Sequence, residues 1–397
     1  MRPLAIRAWT ATTALGHGRD AQLAALRACR TGLRPNTFGP HADGAPLACW
    51  TGRVDGLEEA PLPDALQQWD CRNNRLAWLA LQQDGFADAV RRARARWGAQ
   101  RVAVLLGTST AGLLETELGY RQRAADGTLP PGVRYADRQN TYSVGALVRA
   151  AFDLHGPAWV VSTACSSSAK VYAGAARMIE HGLVDAAIVG GVDSLCLTTL
   201  YGFNALELLA PEACRPWDVE RRGLSIGEGA AFALLERDSA SPHGWLLGTG
   251  ESNDGYHMST PHPQGAGAIA AMRAALADAG LEPREIGYVN LHGTATPSND
   301  ATEDQAVQAV FGNATPCSST KGATGHTLGA AGGVEAAICL LALGDGLLPA
   351  GLNLHTPDPA LGADYVRENR RAPLLAALSN SFGFGGTNAS LVFGANR

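Results

Sequence analysis

Residues 158–191 read AWVVSTACSSSAKVYAGAARMIEHGLVDAAIVGG. An apolar run ends at Cys165, a helical pattern extends from Ser166 to Gly182, and a second apolar run, DAAIVG, covers Asp185 to Gly190. Short apolar runs bounded by glycine suit buried strands, so the stretch reads as strand, helix, strand. The same punctuation recurs on both sides. Upstream lie a strand at Arg101–Gly107 (RVAVLLG) and a helix at Tyr142–Leu154. Downstream come a helix at Gly265–Gly280, a strand at Ile286–Leu291, a helix at Asp300–Phe311 and a strand at Pro316–Ser319. A helix from Gly325 to Leu343 and two strands, at Leu374–Ser379 and Ala389–Phe393, complete the pattern. Alternating strands and helices predict an α/β fold, with parallel sheets covered by helices on both faces. The strand–helix–strand–helix–strand order appears twice, which divides the chain into halves 1–240 and 241–397, with SASPHG (Ser239–Gly244) at the boundary.

Composition narrows the function classes. Of 397 residues, 46% are hydrophobic and 17% charged, which excludes disorder and supplies a large core. The 32 basic and 37 acidic residues give a net charge of −5, so no basic footprint for nucleic acid is expected. The eight cysteines include no C-x-x-C pair, and they read as reduced thiols of a cytoplasmic protein. Arg7 interrupts the apolar N-terminal run, so no signal peptide is expected, and no long unbroken apolar window predicts a membrane span. RRARARWG (Arg91–Gly98) reads as a solvated helix face.

The chemistry gathers at strand-to-helix junctions. Cys165 sits at one, where unpaired helix N–H groups and the helix dipole are expected to lower its pKa; a buried structural cysteine is the alternative. Its small neighbours Ala164, Ser166, Ser167 and Ser168 would leave space for a substrate. His292, in NLHGTATPSND, and His326, in SSTKGATGHTLGAAGG, occupy two further junctions. Ligands of open α/β sheets bind beyond the carboxyl ends of the strands, so all three groups would open onto one crevice. Only Lys170 and Lys321 are lysines among the 32 basic residues, and Lys321 lies five residues before His326. A compact ammonium in place of arginine's broad fork hints at a special role. In SNSFGFGGTNASLVF the glycines let Phe384 present its N–H to an oxyanion; a hairpin loop with both phenylalanines in the core is equally consistent.

TACSSS, LHGTATPSND, SSTKGATGHTLGAAGG and NSFGFGGTN together resemble the β-ketoacyl-acyl carrier protein synthases, the elongating condensing enzymes of the thiolase superfamily. The likeness runs from ATTALG near the N-terminus to the last strand. It implies a five-layered αβαβα thiolase fold of two duplicated halves, and a dimer. It also implies a Cys165, His292 and His326 catalytic set, with Lys321 as the matching lysine and Glu303 as its acidic partner. Thr294 and Thr296 match threonines that bind the phosphopantetheine arm. Phe203 and Phe382 match acyl-pocket positions, and Thr110 would lie near the pocket's far end, at odds with a long saturated chain. The backbone N–H groups of Cys165 and Phe384 would form the oxyanion hole.

The activity so implied is a decarboxylating Claisen condensation of an acyl thioester with malonyl-acyl carrier protein, both histidines acting mainly on the enolate. No metal or organic cofactor is implied. The implied partners are acyl carrier protein, docked on Arg72 and Arg75 of WDCRNNRLAW, and either a second copy or a chain-length-factor-like subunit. A second histidine in place of asparagine separates the chain from acyl-CoA-primed relatives, and the absence of a late C-x-G separates it from thiolases. LGTSTAGLLETELGYR resembles the ketosynthases of bacterial aryl polyene clusters. The alternatives are a Cys-dependent acyl hydrolase and a non-catalytic partner subunit. Free acid released without malonyl substrate would mark the first, and activity surviving Cys165→Ala the second.

Overall fold

The computed structural model describes residues 1–39, 46–238 and 241–396; residue 240, where the first half is drawn to end, lies outside them. The first half supplies strands β1 (Leu4–Thr13), β2 (Val102–Gly107), β3 (Ala158–Val161), β4 (Ala186–Asp193) and β5 (Gly229–Glu236). Its main helices are α1 (Arg72–Leu81), α2 (Phe86–Trp97), α3 (Ser143–Phe152), α4 (Ser167–Glu180) and α5 (Leu197–Ala205). The second half supplies β6 (Gly244–Asn253), β7 (Tyr288–Asn290), β8 (Cys317–Ser318), β9 (Ala376–Gly383) and β10 (Thr387–Gly394). With them come α6 (Ala266–Ala279), α7 (Pro297–Phe311) and α8 (Ala331–Asp345).

The strands hydrogen-bond in the order β3-β2-β4-β5-β1-β6-β10-β9-β7-β8. Numbered within its own half, each set of five runs 3-2-4-5-1, so the topology is duplicated where the sequence shows no defensible repeat. Pair directions repeat as well. The β2–β3, β2–β4, β7–β8 and β7–β9 pairs are parallel, whereas β4–β5, β5–β1, β9–β10 and β10–β6 are antiparallel. The expectation of wholly parallel sheets is thereby corrected. The last strand of each half runs back against its neighbour, and β9 and β10 form a tight hairpin across Phe384–Gly386.

Helices α4 and α8 touch each other and strands of both halves, so they form the middle layer. Helices α1, α2 and α3 cover the outer face of the first sheet, and α6, with α7 against it, covers the second. The result is the five-layered αβαβα arrangement. Sequence explains the placement of α8: every residue from Ala331 to Leu343 is buried, as expected of a helix that is apolar all round. The run Leu328–Asp345 is long and apolar enough to cross a bilayer, yet 83% of it is buried between the sheets. Each buried valine, leucine or isoleucine contributes roughly 1.5–3 kcal/mol. The solvated reading of the Arg91–Gly98 segment holds, with Arg91, Arg94 and Arg96 paired to Asp88, Asp153 and Asp238 at the surface.

The two middle helices cross closely. A Cβ at Gly332 of α8 would lie 2.6 Å from the Ala169 Cβ and 2.7 Å from the Ala169 nitrogen on α4. Gly332→Val should therefore wedge the helices apart and cost about 1–3 kcal/mol or more. Thermal unfolding should show a clearly lowered Tm; an unchanged Tm would contradict this packing.

Candidate active site

The chain leaves β3 and turns sharply into α4 through Ser162–Ser166. Ala164, just before Cys165, has a left-handed φ of +51°, a costly conformation for a residue with a side chain. The neighbouring serines hold the turn. The Ser167 hydroxyl donates to the Ala164 carbonyl at 2.6 Å and accepts the Thr163 N–H at 2.9 Å, while the Ser166 hydroxyl donates to the Thr163 carbonyl at 2.9 Å. They are thus structural fasteners rather than open space beside the sulfur. Cys165 itself is buried. The β9–β10 hairpin turn, with Gly385 and Gly386 at φ +82° and +72°, aims the Phe384 N–H at the Cys165 sulfur.

The thiol does not have the lowered pKa expected from helix-end placement. Burial pushes it up to about 12, against the opposing pull of the Lys321 ammonium and the Phe384 N–H. In the resting enzyme Cys165 is a thiol and needs a base. His326 is in place to serve, its Nε2 3.0 Å from the sulfur. The His292 ring stands edge-on to His326, with centroids 5.5 Å apart, and the sulfur and one nitrogen of each ring lie within 4.8 Å of one another. Burial, then the nearby Lys321 charge, holds both imidazoles well below the usual histidine range, so both are neutral near pH 7.

Lys321 is fully enclosed and bonds the His292 carbonyl and Glu335. Glu335, not Glu303, is its acidic partner, which corrects the expected pairing. Glu303 instead accepts the backbone N–H groups of His292, at 2.8 Å, and Gly293, at 2.7 Å, and so fixes the histidine's loop. Burial lifts both carboxyls, Glu303 and Glu335 alike to about 7. The sequence reading does not single out Glu335, although an acid in the middle of the apolar stretch Ala331–Leu343 is the signal that marks it.

A narrow cleft of about 70 Å³ leads to the sulfur, lined by Cys165, His292 and His326 with Phe203, Phe382 and Phe384. Thr294 and Thr296 share this lining, their hydroxyls 2.9 Å apart. Thr110 does not line this cleft, and its buried hydroxyl donates to Asp193 at 2.7 Å. Arg72 is no docking cation either. It is buried, clamped by both carboxylate oxygens of Glu228 and joined to Glu58, so it is a core ion pair. Arg75 pairs with Asp70 and keeps about a third of its side chain exposed. The three-residue spacing thus separates one buried from one half-buried arginine, and the pair makes no common dock.

A buried thiol beside two neutral imidazoles, with a backbone N–H aimed at the sulfur, defines a cysteine-dependent acyl-transfer site. Residues 64–241 match the N-terminal domain of β-ketoacyl synthases and residues 243–355 match the C-terminal domain. The chain belongs to the β-ketoacyl synthase family. It is 36% identical over 314 residues to 3-oxoacyl-[acyl-carrier-protein] synthase 2 of Vibrio cholerae, covering 74% of this chain and 76% of that protein. Among solved structures it resembles the Xenorhabdus doucetiae ketosynthase ApeO, in complex with its chain length factor ApeC. That match has a TM-score of 0.90 and 40% identity, and covers 99% of this chain and 98% of the other. The ishigamide ketosynthase/chain length factor matches at TM-score 0.89 and 28% identity over the full length of both chains.

Because thiolate is the reactive form, iodoacetamide labelling of Cys165 should climb about tenfold per pH unit from about pH 7 to pH 10. Cys29 is exposed and the remaining six cysteines are buried, so peptide mapping must separate Cys165 from Cys29. A plateau below about pH 8 would show a preformed thiolate and contradict the raised pKa.

Proposed function

We propose that this chain joins an acyl group on Cys165 to a malonyl unit on acyl carrier protein by decarboxylating Claisen condensation. The contact that carries the reading is the 3.0 Å approach of His326 Nε2 to the Cys165 sulfur, beside a second neutral histidine. His326 takes the thiol proton as the sulfur attacks the incoming acyl thioester, then returns it to the departing pantetheine thiolate. The Cys165 and Phe384 N–H groups stabilise the tetrahedral oxyanion, a contribution of about 3–4 kcal/mol per donor. Malonyl-carrier protein then enters and loses carbon dioxide, leaving an enolate.

His292 is prepared for that enolate. Lys321 Nζ lies 3.5 Å from His292 Nδ1, and an ammonium offers only donors, so Nδ1 accepts and the proton sits on Nε2 of this cleft-lining residue. The enolate carbon attacks acyl-Cys165, expels the thiolate and yields a β-ketoacyl-carrier product two carbons longer. Since decarboxylation supplies the carbanion, the reaction so written uses no metal and no organic cofactor beyond the phosphopantetheine arm. The approach of His326 Nε2 to the sulfur supports giving this residue a part in acyl transfer as well as in condensation.

The same proposal covers partner, pathway and place. Two solved relatives are ketosynthases with chain length factors, which supports a ketosynthase-like partner for this chain, identical or not. Strand β3 ends the sheet with Trp159 39% exposed, an edge such a partner would cover. The LGTSTAGLLETELGYR stretch supports an aryl polyene-type pathway, and eight free cysteines suit a reducing cytoplasm.

Mass spectrometry of carrier-bound species, with acyl- and malonyl-carrier protein and with or without a candidate partner chain, tests the reading. A malonyl-dependent β-ketoacyl product should form and vanish with Cys165→Ala, and His326→Ala should slow acyl-enzyme formation as well as condensation. Free acid released without malonyl substrate, or activity retained by Cys165→Ala in the complex, would overturn it.

A further inference from the structure

Asp193 closes β4 and is completely buried, and no ion pair neutralises it among the described residues. Five donors converge on its carboxylate. Oδ1 accepts the Thr108 and Thr110 hydroxyls at 2.7 Å each and the Ser109 and Thr110 N–H groups at 2.8 Å each. Oδ2 accepts the Gly329 N–H at 2.5 Å. The first four donors belong to the loop after β2 in the first half. The fifth belongs to the second half, three residues beyond His326.

His326 depends on that turn. Its Nδ1 makes no hydrogen bond with any described residue, so no side-chain partner orients the ring from behind. Apart from its contacts with the Cys165 sulfur and the His292 ring, its orientation comes from the backbone on either side. Before the ring, the His326 N–H donates to the Ser225 carbonyl at 2.7 Å, and the Gly227 N–H donates to the His326 carbonyl at 2.9 Å. After it, Leu328 is held at φ +52°, and the next residue is the one tied to Asp193. We propose that Asp193 is a positioning residue, which pins the turn after His326 to the first half and so holds Nε2 against the Cys165 sulfur.

A direct electrostatic role would act in the opposite sense. The Asp193 charge disfavours the Cys165 thiolate, so removing it through space alone would make the sulfur more reactive. Loss of His326 placement would make it less reactive. The inference rests on Cys165 and His326 as the reacting pair; failure of wild-type Cys165 to accept an acyl group would sink that reading before any variant is compared.

Two variants test it by different routes. Asp193→Asn removes the charge and one acceptor. Gly329→Ala keeps the charge but places a Cβ 2.8 Å from Asp193 Oδ2 and 2.7 Å from the Ser109 hydroxyl, which pushes the turn away. With folding checked by circular dichroism and Tm, both should lower kcat and the Cys165 acylation rate by about 10- to 100-fold. KM for acyl-carrier protein should stay within about threefold. If Asp193→Asn does not fold, Gly329→Ala decides alone. A folded variant with wild-type kcat, with faster acylation, or with its loss carried by KM would overturn the proposal.

Discussion

The close crossing of α4 and α8 between the two sheets is the constraint on which the rest depends. Each helix belongs to a different half, and each begins at a junction carrying reactive groups: Cys165 before α4, and Lys321 and His326 before α8. Where Gly332 meets Ala169 the helices touch with no room for another carbon, so their starts are brought to one place. A 3.0 Å contact between residues 161 positions apart follows from that packing rather than from any local motif. Burial of α8 is largely hydrophobic, and the same burial desolvates the cleft at its N-terminal end.

Desolvation then sets the chemistry. It raises the thiol, lowers both imidazoles and makes every remaining polar contact count. The site answers with fixed charges and dipoles. Lys321 is compensated by Glu335 and stands beside the His292 ring, Glu303 holds the His292 backbone, and the hairpin turn presents the Phe384 N–H. Left-handed backbone also occurs beside the site, at Ala164, Ala295 and Leu328, each within three residues of a reacting or pocket-lining group. Such strain persists only where surrounding contacts over-determine it, as the serine fasteners do at Ala164.

The sequence carried much of this account and misjudged a definable remainder. Strand-to-helix punctuation placed Cys165, His292 and His326 between strands and helices, and the structure has them there, because short apolar runs followed by helical patterns leave little choice of element. It expected parallel sheets, since periodicity along a strand says nothing about the direction of its neighbour. It expected a lowered Cys165 pKa from the helix dipole, since burial of a particular sulfur depends on packing from the far half of the chain. Arg72 looked like a surface cation because its partner Glu228 is 156 residues away and has no local signature. Thr110 looked like a pocket wall for the same reason: Asp193, which takes its hydroxyl, is distant in sequence. Glu335 was legible in principle, as the one acid within the apolar, fully buried stretch Ala331–Leu343.

The central claim is that groups from both halves act on one atom of the acyl-cysteine. The most direct measurement is a crystal structure of the enzyme acylated at Cys165 from acyl-carrier protein. The account predicts the thioester carbonyl oxygen about 2.7–3.1 Å from both the Cys165 and Phe384 N–H nitrogens, with His292 and His326 free to receive the malonyl thioester. A carbonyl oxygen turned to the histidines, with the Phe384 N–H unengaged, would contradict it.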